Sequence, residues 1–346
     1  MTNENIAVIG SGSWGTALAV LLAENNQSVT LWVRRKELYD KLVCTRENSD
    51  YLPGVVLPDN LQINYDLQDT VSNKSIIVSV VPTHATREIA QRIVDYIDSR
   101  TIVVNASKGF EIDSLKTMSQ VLAEVLFEGD RSRIAVLSGP NHAEEVSKQI
   151  PSASVIAAQK RNIATKLQNV FMTKLFRVYT NPDINGVEIG GALKNIMALG
   201  TGISDGLGFG DNTKAAFMTR GIYEISRLGT TLNARPMTFA GLAGIGDLIV
   251  TCTSDHSRNR RAGKLIGGGK TLEQVLESTN MVVEGVKTTE AAHYLSKEMG
   301  VEMPITEELY DILFNNKPPL EGVKNLMERV EKNEMEEVVD SNLWID

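Results

Sequence analysis

The sequence predicts an α/β protein in two parts: a doubly wound parallel sheet in residues 1–182, followed by a mostly α-helical region in residues 183–346. Three observations predict this fold class. Short β-branched apolar runs alternate with helical patterns in the first half, which is typical of strand–helix–strand units. No convincing β-branched alternation follows Asn181-Pro182. A glycine-rich turn lies between the first apolar run and the first helical pattern.

Eight strands are predicted in the first part, wherever a short apolar run is rich in β-branched residues. They lie at residues 6–9, 29–33, 61–63, 76–81, 101–105, 134–137, 153–158 and 176–179. Helices are predicted between most of them, for example at residues 85–98, 115–127 and 163–172. Right-handed crossovers would place ligands at the C-terminal ends of these strands, so the turns after the strands are the first candidates for function.

The second part is predicted to be helical because its apolar residues recur at helical spacing. The predicted helices lie at residues 186–201, 213–228, 238–242, 247–252, 272–276, 288–299, 305–314 and 320–332. The glycine-rich stretches 206–210 and 267–269 are predicted loops. Charge dominates residues 328–340, which indicates a solvated helix face or a frayed end.

Composition predicts a soluble cytoplasmic protein. The 346 residues carry a net charge of −8, which disfavours binding to nucleic acid or to an acidic membrane. The two cysteines, Cys44 and Cys252, lie far apart and indicate a reducing compartment without a disulfide framework. The polar start of the chain leads directly into a strand, so no signal peptide is expected. The longest apolar runs are of strand length, so no stable membrane insertion is expected.

The first functional motif is Gly10-Ser11-Gly12-Ser13-Trp14-Gly15, which follows a strand and opens a helix. Gly10 permits a tight turn, Gly12 lets a pyrophosphate approach the backbone, and Gly15 lets the helix pack close to the strand. The helix start also offers unpaired N–H groups to an anion. A purely structural turn is the alternative, but the strand–turn–helix context favours a dinucleotide site in a Rossmann-type domain.

The end of the second strand bears on the choice of cofactor. NAD-preferring sites usually carry Asp or Glu there, whereas this chain has Trp32-Val33-Arg34-Arg35-Lys36. Two arginines suit the 2′-phosphate of NADP(H). Alternatively, they are ordinary solvent-exposed charges at a helix start.

Two more candidate sites follow strands. Lys108 comes after the fifth strand, where its ammonium could meet a phosphate or a polarised carbonyl, or could simply be a surface charge. Ser138-Gly139-Pro140-Asn141-His142-Ala143 follows the sixth strand. Asn141 could cap the helix that begins at Ala143, or the N–H groups there could bind an oxyanion. His142 has no second histidine close in sequence, so a metal site is not expected.

In the second part, the helix around Gly190-Gly191-Ala192-Leu193-Lys194 carries the strongest signal. Small residues one turn from Lys194 would leave a hollow in which a ligand can approach the ammonium. Apolar neighbours would lower the pKa of Lys194 by desolvation, which makes a lysine a proton donor near neutral pH. The alternative is a lysine whose helix packs tightly through its glycines.

Two downstream features add candidates for substrate binding. Asp247 stands at a predicted helix start, where it could cap the helix, orient Lys194 or bind a substrate hydroxyl. Ser257-Arg258-Asn259-Arg260-Arg261 concentrates positive charge in an acidic chain and suits a phosphate dianion. A solvated basic turn is the alternative.

Taken in order, these motifs resemble one family. They are the glycine turn, Asn105-Ala106-Ser107-Lys108-Gly109, Ser138-Gly139-Pro140 with Ala143, Gly190-Gly191-Ala192-Leu193-Lys194-Asn195, Gly241-Leu242-Ala243-Gly244-Ile245-Gly246-Asp247 and Ser257-Arg258-Asn259-Arg260-Arg261. From about residue 5 to about residue 330, the chain resembles bacterial-type NAD(P)-dependent sn-glycerol-3-phosphate dehydrogenase. The last three motifs in this order are specific, whereas the glycine turn alone is not.

The resemblance implies an oxidoreductase that reversibly reduces dihydroxyacetone phosphate to sn-glycerol 3-phosphate, a precursor of phospholipids, with NADP or NAD as cofactor. It implies Lys194 as the catalytic acid/base. By motif it implies these cofactor contacts: Ser13, Trp14, Arg34, Lys108, Ala143, Arg258, Val282 and Glu284. It implies these substrate contacts: Lys108, Gly139, Asn141, Lys194, Asp247, Ser257, Arg258 and Asn259. The family usually has Ser or Thr where this chain has Asn141. A dinucleotide-binding domain over residues 1–182, a catalytic domain over residues 183–346 and a homodimer are expected.

Two other function classes stay open on the sequence alone. A related reductase of a 2-keto or 3-hydroxy acid would also use an arginine, so Arg258 does not decide between the substrates. A non-catalytic module that senses NADP(H) would have no use for Lys194 as a proton donor.

Overall fold

The computed structural model describes residues 3–278, 282–331 and 334, and its first part is built on one eight-stranded sheet. The strands are β1 (Asn5–Ile9), β2 (Ser28–Trp32), β3 (Leu61–Asn64), β4 (Ile76–Ser79), β5 (Ile102–Asn105), β6 (Ile134–Ser138), β7 (Ser152–Ala158) and β8 (Phe176–Asn181). All eight predicted strands are present, with ends shifted by one or two residues. The residues of β1, β4 and β5 are almost all buried, since helices cover both faces of the sheet.

The strand order is β3-β2-β1-β4-β5-β6-β7-β8, so the order reverses between β1 and β4. Neighbouring strands are parallel except for β6 and β7, which are antiparallel. The predicted parallel sheet is therefore confirmed except at this one pair. The connection from β6 to β7 contains only a four-residue helix, so the chain turns back at the same edge of the sheet instead of crossing over.

Seven helices connect these strands. They are α1 (Ser13–Glu24), α2 (Lys36–Thr45), α3 (Leu67–Val71), α4 (Thr86–Ile93), α5 (Met118–Phe127), α6 (Ala143–Val146) and α7 (Arg161–Phe171). The helix predicted at residues 85–98 is shorter than expected, because 3₁₀ turns at Thr83–Ala85 and Val94–Tyr96 flank α4.

The second part contains only helices in the residues that the structure describes. They are α8 (Ile184–Gly206), α9 (Asp211–Thr231), α10 (Pro236–Phe239), α11 (Asp247–Thr253), α12 (Arg258–Gly267), α13 (Leu272–Glu277), α14 (Glu284–Met299), α15 (Pro304–Phe314) and α16 (Pro319–Met327). Helix α16 ends before the predicted residue 332. Most of the charged stretch 328–340 lies outside the described residues.

Helix α12 was not predicted, because charged residues at its start and Gly263 and Gly267 within it obscure the helical pattern. The glycines have a packing function instead. A Cβ on Gly263 would lie 2.0 Å from Leu199 O, and one on Gly202 would lie 2.0 Å from Arg260 O. Helices α8 and α12 therefore meet backbone to backbone, which fixes their residues relative to one another.

Among the described residues, one stretch is long and apolar enough to cross a membrane, Pro236–Thr253, and 44% of that window is buried. It comprises α10, a π-helical turn at Leu242–Gly246 and α11. Core helices of soluble proteins meet the same criterion, so the stretch is weak evidence for a membrane span.

Candidate active site

A cleft of about 550 Å³ lies where the sheet meets the helical part. Residues directly after β1, β2, β4 and β5 form one wall, and residues of α8, α11, α12 and α14 form the other. It is lined by these predicted site residues: Gly10, Gly12, Ser13, Trp14, Gly15, Arg34, Lys108, Asn141, Ala143, Lys194, Ser257, Arg258, Asn259, Val282 and Glu284. Gly139 and Asp247 do not line the cleft, but the carbonyl oxygen of Gly139 and the carboxylate of Asp247 accept hydrogen bonds from Lys108 Nζ.

The glycine turn has the geometry that an anion site requires. Gly10 has φ +117°, and a Cβ there would lie 2.6 Å from Val80 O. A Cβ on Gly15 would lie 1.9 Å from Gly10 O, so no other residue fits at the start of α1. Gly12 has open space around its Cβ position, which leaves the N-terminus of α1 accessible from the cleft. A pyrophosphate could therefore reach the first N–H groups of α1.

At the end of β2, the two arginines differ in what they contact. Arg34 is exposed, lines the cleft and has no hydrogen bond or ion pair within the described residues. Arg35 donates to the hydroxyl of Tyr51 at 3.2 Å and lies 4.0 Å from Asp50. His84 lines the same end of the cleft, and burial together with the nearby Lys287 and Arg34 lowers its pKa. The positive charge at this end of the cleft therefore comes from Arg34, Arg35 and the nearby Lys287, and Arg34 is available to a ligand.

Lys108, Asp247 and Lys194 form a buried charge cluster, which we call the lysine–aspartate triad. Asp247 Oδ1 lies 2.5 Å from Lys194 Nζ, and Oδ2 lies 2.7 Å from Lys108 Nζ. Asp247 is 1% exposed. The suggestion that it caps α11 is wrong, since Gly246 is the N-cap and the carboxylate bridges the two lysines. The alternative that Asp247 orients Lys194 fits this geometry.

The environment makes Lys194 a weaker base than an ordinary lysine. Burial lowers its pKa to about 8, with Lys108 acting in the same direction and Asp247 opposing it. Burial alone would raise the pKa of Asp247, but the two lysines hold it below the usual range. At neutral pH Asp247 is thus a carboxylate and Lys194 is mostly an ammonium that can readily give up a proton.

The glycines before Lys194 do not form the hollow that the sequence suggested. A Cβ on Gly190 would lie 2.6 Å from Ala243 O, and one on Gly191 would lie 2.5 Å from Ser138 Oγ. They let α8 pack tightly against the π-helical turn and the end of β6. The alternative of tight packing is therefore correct for the glycines, and this packing brings Lys194 to the cleft.

The motif after β6 also differs from prediction. The N-cap of α6 is His142, so Asn141 does not cap this helix. Asn141 instead donates to Ser154 Oγ at 2.9 Å. The ring of His256 lies 5.7 Å from that of His142, so a second histidine is close in space although remote in sequence. No group of three or more potential metal ligands occurs among the described residues.

The basic motif begins α12 and is not a solvated turn. Ser257 is the N-cap, and its Oγ accepts from the N–H of Arg260. The Arg258 guanidinium donates to Ser13 Oγ at 2.7 Å, which links α12 to the glycine turn. Asn259 donates to Asn195 Oδ1 and accepts from Gly285 N, so one amide hydrogen remains for a ligand. Arg260 pairs with Asp205 and does not line the cleft.

The start of α14 completes the wall. Val282 is 38% exposed and lines the cleft. Glu284 is the first residue of α14, accepts from Thr83 Oγ1 at 3.3 Å, and has its pKa raised by burial. It therefore joins the helical part to the turn after β4.

Sequence reasoning missed Thr251. Its Oγ1 accepts from Lys194 Nζ at 2.7 Å and donates to Asp247 O at 2.6 Å. The only available signal was its i+4 spacing from Asp247 on a predicted helix, which places both on one face.

Two family models match the chain. The model described as NAD-dependent glycerol-3-phosphate dehydrogenase N-terminus matches residues 5–164, and the corresponding C-terminus model matches residues 183–324. A glycerol-3-phosphate dehydrogenase [NAD(P)+] of Pelotomaculum thermopropionicum is 54% identical over 333 residues, covering 96% of this chain and 95% of its own length. One from Moorella thermoacetica is 55% identical over 333 residues, covering 96% and 98%.

Among solved structures, the glycerol-3-phosphate dehydrogenase of Coxiella burnetii is similar over nearly the whole chain. It is 36% identical with a TM-score of 0.90, and the match covers 94% of this chain and 99% of that chain. The arrangement of the sheet part and the helical part is thus shared with that enzyme.

Proposed function

The chain belongs to the NAD-dependent glycerol-3-phosphate dehydrogenase family, and we propose that it reversibly reduces dihydroxyacetone phosphate to sn-glycerol 3-phosphate with Lys194 as the acid/base. It is an oxidoreductase that uses NAD or NADP. The observation that carries the proposal is the lysine–aspartate triad, whose two lysines line the same cleft as the glycine turn and the N-terminus of α12.

The cleft fits a dinucleotide because Gly12 leaves the start of α1 open and Arg34 stands at the end of β2. The glycine turn would hold the pyrophosphate, with Trp14, Ala143, Val282 and Glu284 completing the site. When bound, the reduced nicotinamide supplies the hydride that reaches the ketone carbon.

The substrate phosphate would bind at the N-terminus of α12. The chain carries a net charge of −8, so a phosphate dianion has to be held by local positive charge. Arg258 offers a planar fork and is the first residue of α12, where helix N–H groups favour an anion. Ser257 and Asn259 add neutral hydrogen bonds. Arg260 is committed to Asp205, and Arg261 is exposed and does not line the cleft, which leaves Arg258 as the arginine of α12 for this role.

Lys194 would protonate the ketone oxygen as negative charge develops on it. An ammonium whose pKa is about 8 is mostly protonated at neutral pH but releases its proton readily. Lys108 adds positive potential beside the same oxygen, and Asp247 keeps both ammonium groups aligned. In the reverse direction, neutral Lys194 would accept the proton of the substrate hydroxyl.

The remaining proposals concern the protein as a whole. We propose the division into residues 1–182 for the dinucleotide and residues 183–346 for catalysis, since β8 ends at Asn181 and α8 begins at Ile184. We also propose a cytoplasmic homodimer that supplies glycerol phosphate for phospholipid synthesis. Both Cys44 and Cys252 are free thiols, which suits a reducing compartment. Analytical ultracentrifugation tests the dimer.

The proposed reaction is tested by oxidation of NADH and NADPH, side by side, after addition of dihydroxyacetone phosphate. Turnover that depends on the substrate phosphate is expected. Faster turnover of a 2-keto acid such as pyruvate would overturn the proposal in favour of a keto-acid reductase. Absence of turnover with every small ketone phosphate, together with tight NADPH binding, would instead favour the sensing module.

A further inference from the structure

Glu188 on α8 is a buried ionisable residue that none of the proposed steps uses. Its Oε1 accepts hydrogen bonds from Asn105 Nδ2 at 3.0 Å and from Ser119 N at 2.8 Å. Its Oε2 accepts from Ser119 Oγ at 2.5 Å. Glu188 is 2% exposed, and Asn105 and Ser119 are fully buried. The carboxyl group therefore joins α8 to the end of β5 and the start of α5.

Asn105 connects Glu188 to the loop that carries Lys108. Asn105 Nδ2 also donates to Ser107 O at 3.0 Å, and its Oδ1 accepts from Ser107 N at 3.1 Å. These two bonds shape the turn directly before Lys108. One amide group thus fixes the loop conformation and attaches the loop to Glu188.

The same helix carries Lys194, six residues after Glu188. Six residues correspond to about 9 Å along the axis and a rotation that separates the two side chains by about 120°. Gly191 lies midway between them, and a Cβ there would be 3.7 Å from Lys108 Cδ. The side chain of Lys108 therefore passes α8 at Gly191 on its way to Asp247, between Glu188 and Lys194.

An apolar side chain could fill the position of Glu188 without a cost of desolvation. Burial raises the pKa of Glu188, and hydrogen bonds from Ser119 and Thr117 and the charge of Arg131 oppose that rise. The polar group at this junction provides directed hydrogen bonds, which fix the position of the loop relative to α8.

We propose that Glu188 is a positioning residue that, through Asn105, sets the distance of Lys108 from Asp247 and Lys194. The proposal deepens the proposed function and rests on it, because it assigns Lys194 the proton transfer. Lys108 repels the Lys194 ammonium and shares the carboxylate of Asp247. If the loop that carries Lys108 were released from Glu188, Lys108 would move away from Lys194 and Asp247. The repulsion would then weaken and Lys194 would have more of the Asp247 carboxylate, and both changes favour the protonated form of Lys194.

The first test is Glu188→Gln, which keeps the size of the side chain but replaces one accepting oxygen with a donor. We expect kcat for dihydroxyacetone phosphate to fall about 10- to 100-fold through misplacement of the charged groups. The KM for the reduced cofactor should stay within about twofold, because none of the contacts of Glu188 is in the glycine turn. The alkaline limb of the kcat profile should move up by about one pH unit.

The matched control is Glu224→Gln. Glu224 is also a fully buried carboxyl in the helical part, and it accepts from the N–H groups of Ile305 and Thr306 at the start of α15. It does not line the cleft. Loss of this group should lower the melting temperature and leave the alkaline limb in place. The titratable groups near Lys194 are Lys108, Asp247, His142 and Cys252, and all of them stay unchanged in both variants.

Asn105→Ser breaks the same link from the loop side and serves if Glu188→Gln does not fold. In Asn105→Ser the alkaline limb of the kcat profile should move up by the same amount as in Glu188→Gln. The double variant should show no larger shift than either single variant. An alkaline limb that stays at the wild-type position in both single variants would overturn the proposal. If the wild type fails to reduce dihydroxyacetone phosphate, the proposed function falls, while an NMR titration of the Lys194 ammonium in wild type and variant still decides the positioning role.

Discussion

Asp247→Asn tests the lysine–aspartate triad most directly, because it removes the one negative charge between two ammonium groups. The amide has nearly the size and shape of the carboxylate, which lies 2.5 Å from Lys194 Nζ and 2.7 Å from Lys108 Nζ. The two lysines would then repel each other without compensation. We expect Lys194 to lose its proton at lower pH than in the wild type.

The size of the shift follows from the pKa of about 8 for Lys194, to which Asp247 makes a raising contribution. Loss of an opposite charge at such a distance typically changes a pKa by about 1–3 units, so Lys194 should titrate at about pH 5–7. At about pH 7.5, roughly three quarters of wild-type Lys194 is protonated, whereas a pKa of about 6 would leave about 3%. Turnover in the reductive direction should therefore fall about 25-fold at that pH.

The assay is the pH dependence of kcat for cofactor oxidation by dihydroxyacetone phosphate. The alkaline limb should move down, with partial recovery of kcat below about pH 6, where Lys194 is again an ammonium. Breaking a buried ion pair also lowers the free energy of unfolding by about 3–5 kcal/mol, so folding is checked by circular dichroism at each pH. An unchanged limb in folded protein would refute the assignment of the limb to Lys194.

Asp205→Asn is a suitable comparison for this variant. Asp205 is a largely buried carboxylate on α8, the helix that carries Lys194, and it pairs with Arg260 and Lys214 away from Lys194. Its loss should lower stability while the alkaline limb stays in place. If the alkaline limb moved down in both Asp247→Asn and Asp205→Asn, the shift would reflect a general destabilisation of α8 and not the loss of the charge next to Lys194.

Substitutions of three cations that line the cleft, Lys194, Arg34 and Arg258, test their individual roles. Lys194→Ala should lower turnover about 100- to 10,000-fold through loss of the general acid, while NADPH binding measured by fluorescence titration stays close to wild type; near-wild-type turnover would remove Lys194 from the mechanism. Arg34→Ala should weaken NADPH by about 1.5–3 kcal/mol more than NADH, because only NADPH carries the 2′-phosphate; equal losses in isothermal titration would mean that Arg34 does not read this group. Arg258→Ala should raise the KM for dihydroxyacetone phosphate and abolish selectivity over unphosphorylated dihydroxyacetone, whereas Arg261→Ala, at an exposed position outside the cleft, should not. Arg258→Lys should recover part of the loss; an intact phosphate preference in Arg258→Ala would place the phosphate site elsewhere.

The sequence determined the local features of the fold. Strands were identified because continuous β-branched runs reflect burial on both faces of a sheet, as in β4 and β5. The glycine turn was equally clear, since Gly10 and Gly15 stand where any Cβ would meet backbone. Motif order then gave the family and nearly all residues that line the cleft.

Local pattern failed where packing between distant elements decided the outcome. Helix α12 has glycines and charges that lower its propensity, and it is stable because Gly263 and Gly267 fit against α8. The antiparallel pair β6–β7 likewise follows from a connection that never crosses the sheet. Neither helix α12 nor the antiparallel pairing of β6 and β7 is visible as a hydrophobic periodicity in the sequence.

The sequence by itself therefore determined which side chains are candidates for cofactor binding, substrate binding and catalysis. The tertiary structure decided what each of them contacts. Lys108, Lys194 and Asp247 were all visible as candidates, but nothing in their spacing showed that one carboxylate holds both ammonium groups. Thr251, Glu188 and Asn105 acquire their roles only through contacts between elements. The physical reason is that the pKa of a buried group depends on burial and on charges within a few ångströms, and those neighbours come from parts of the chain that only folding brings together.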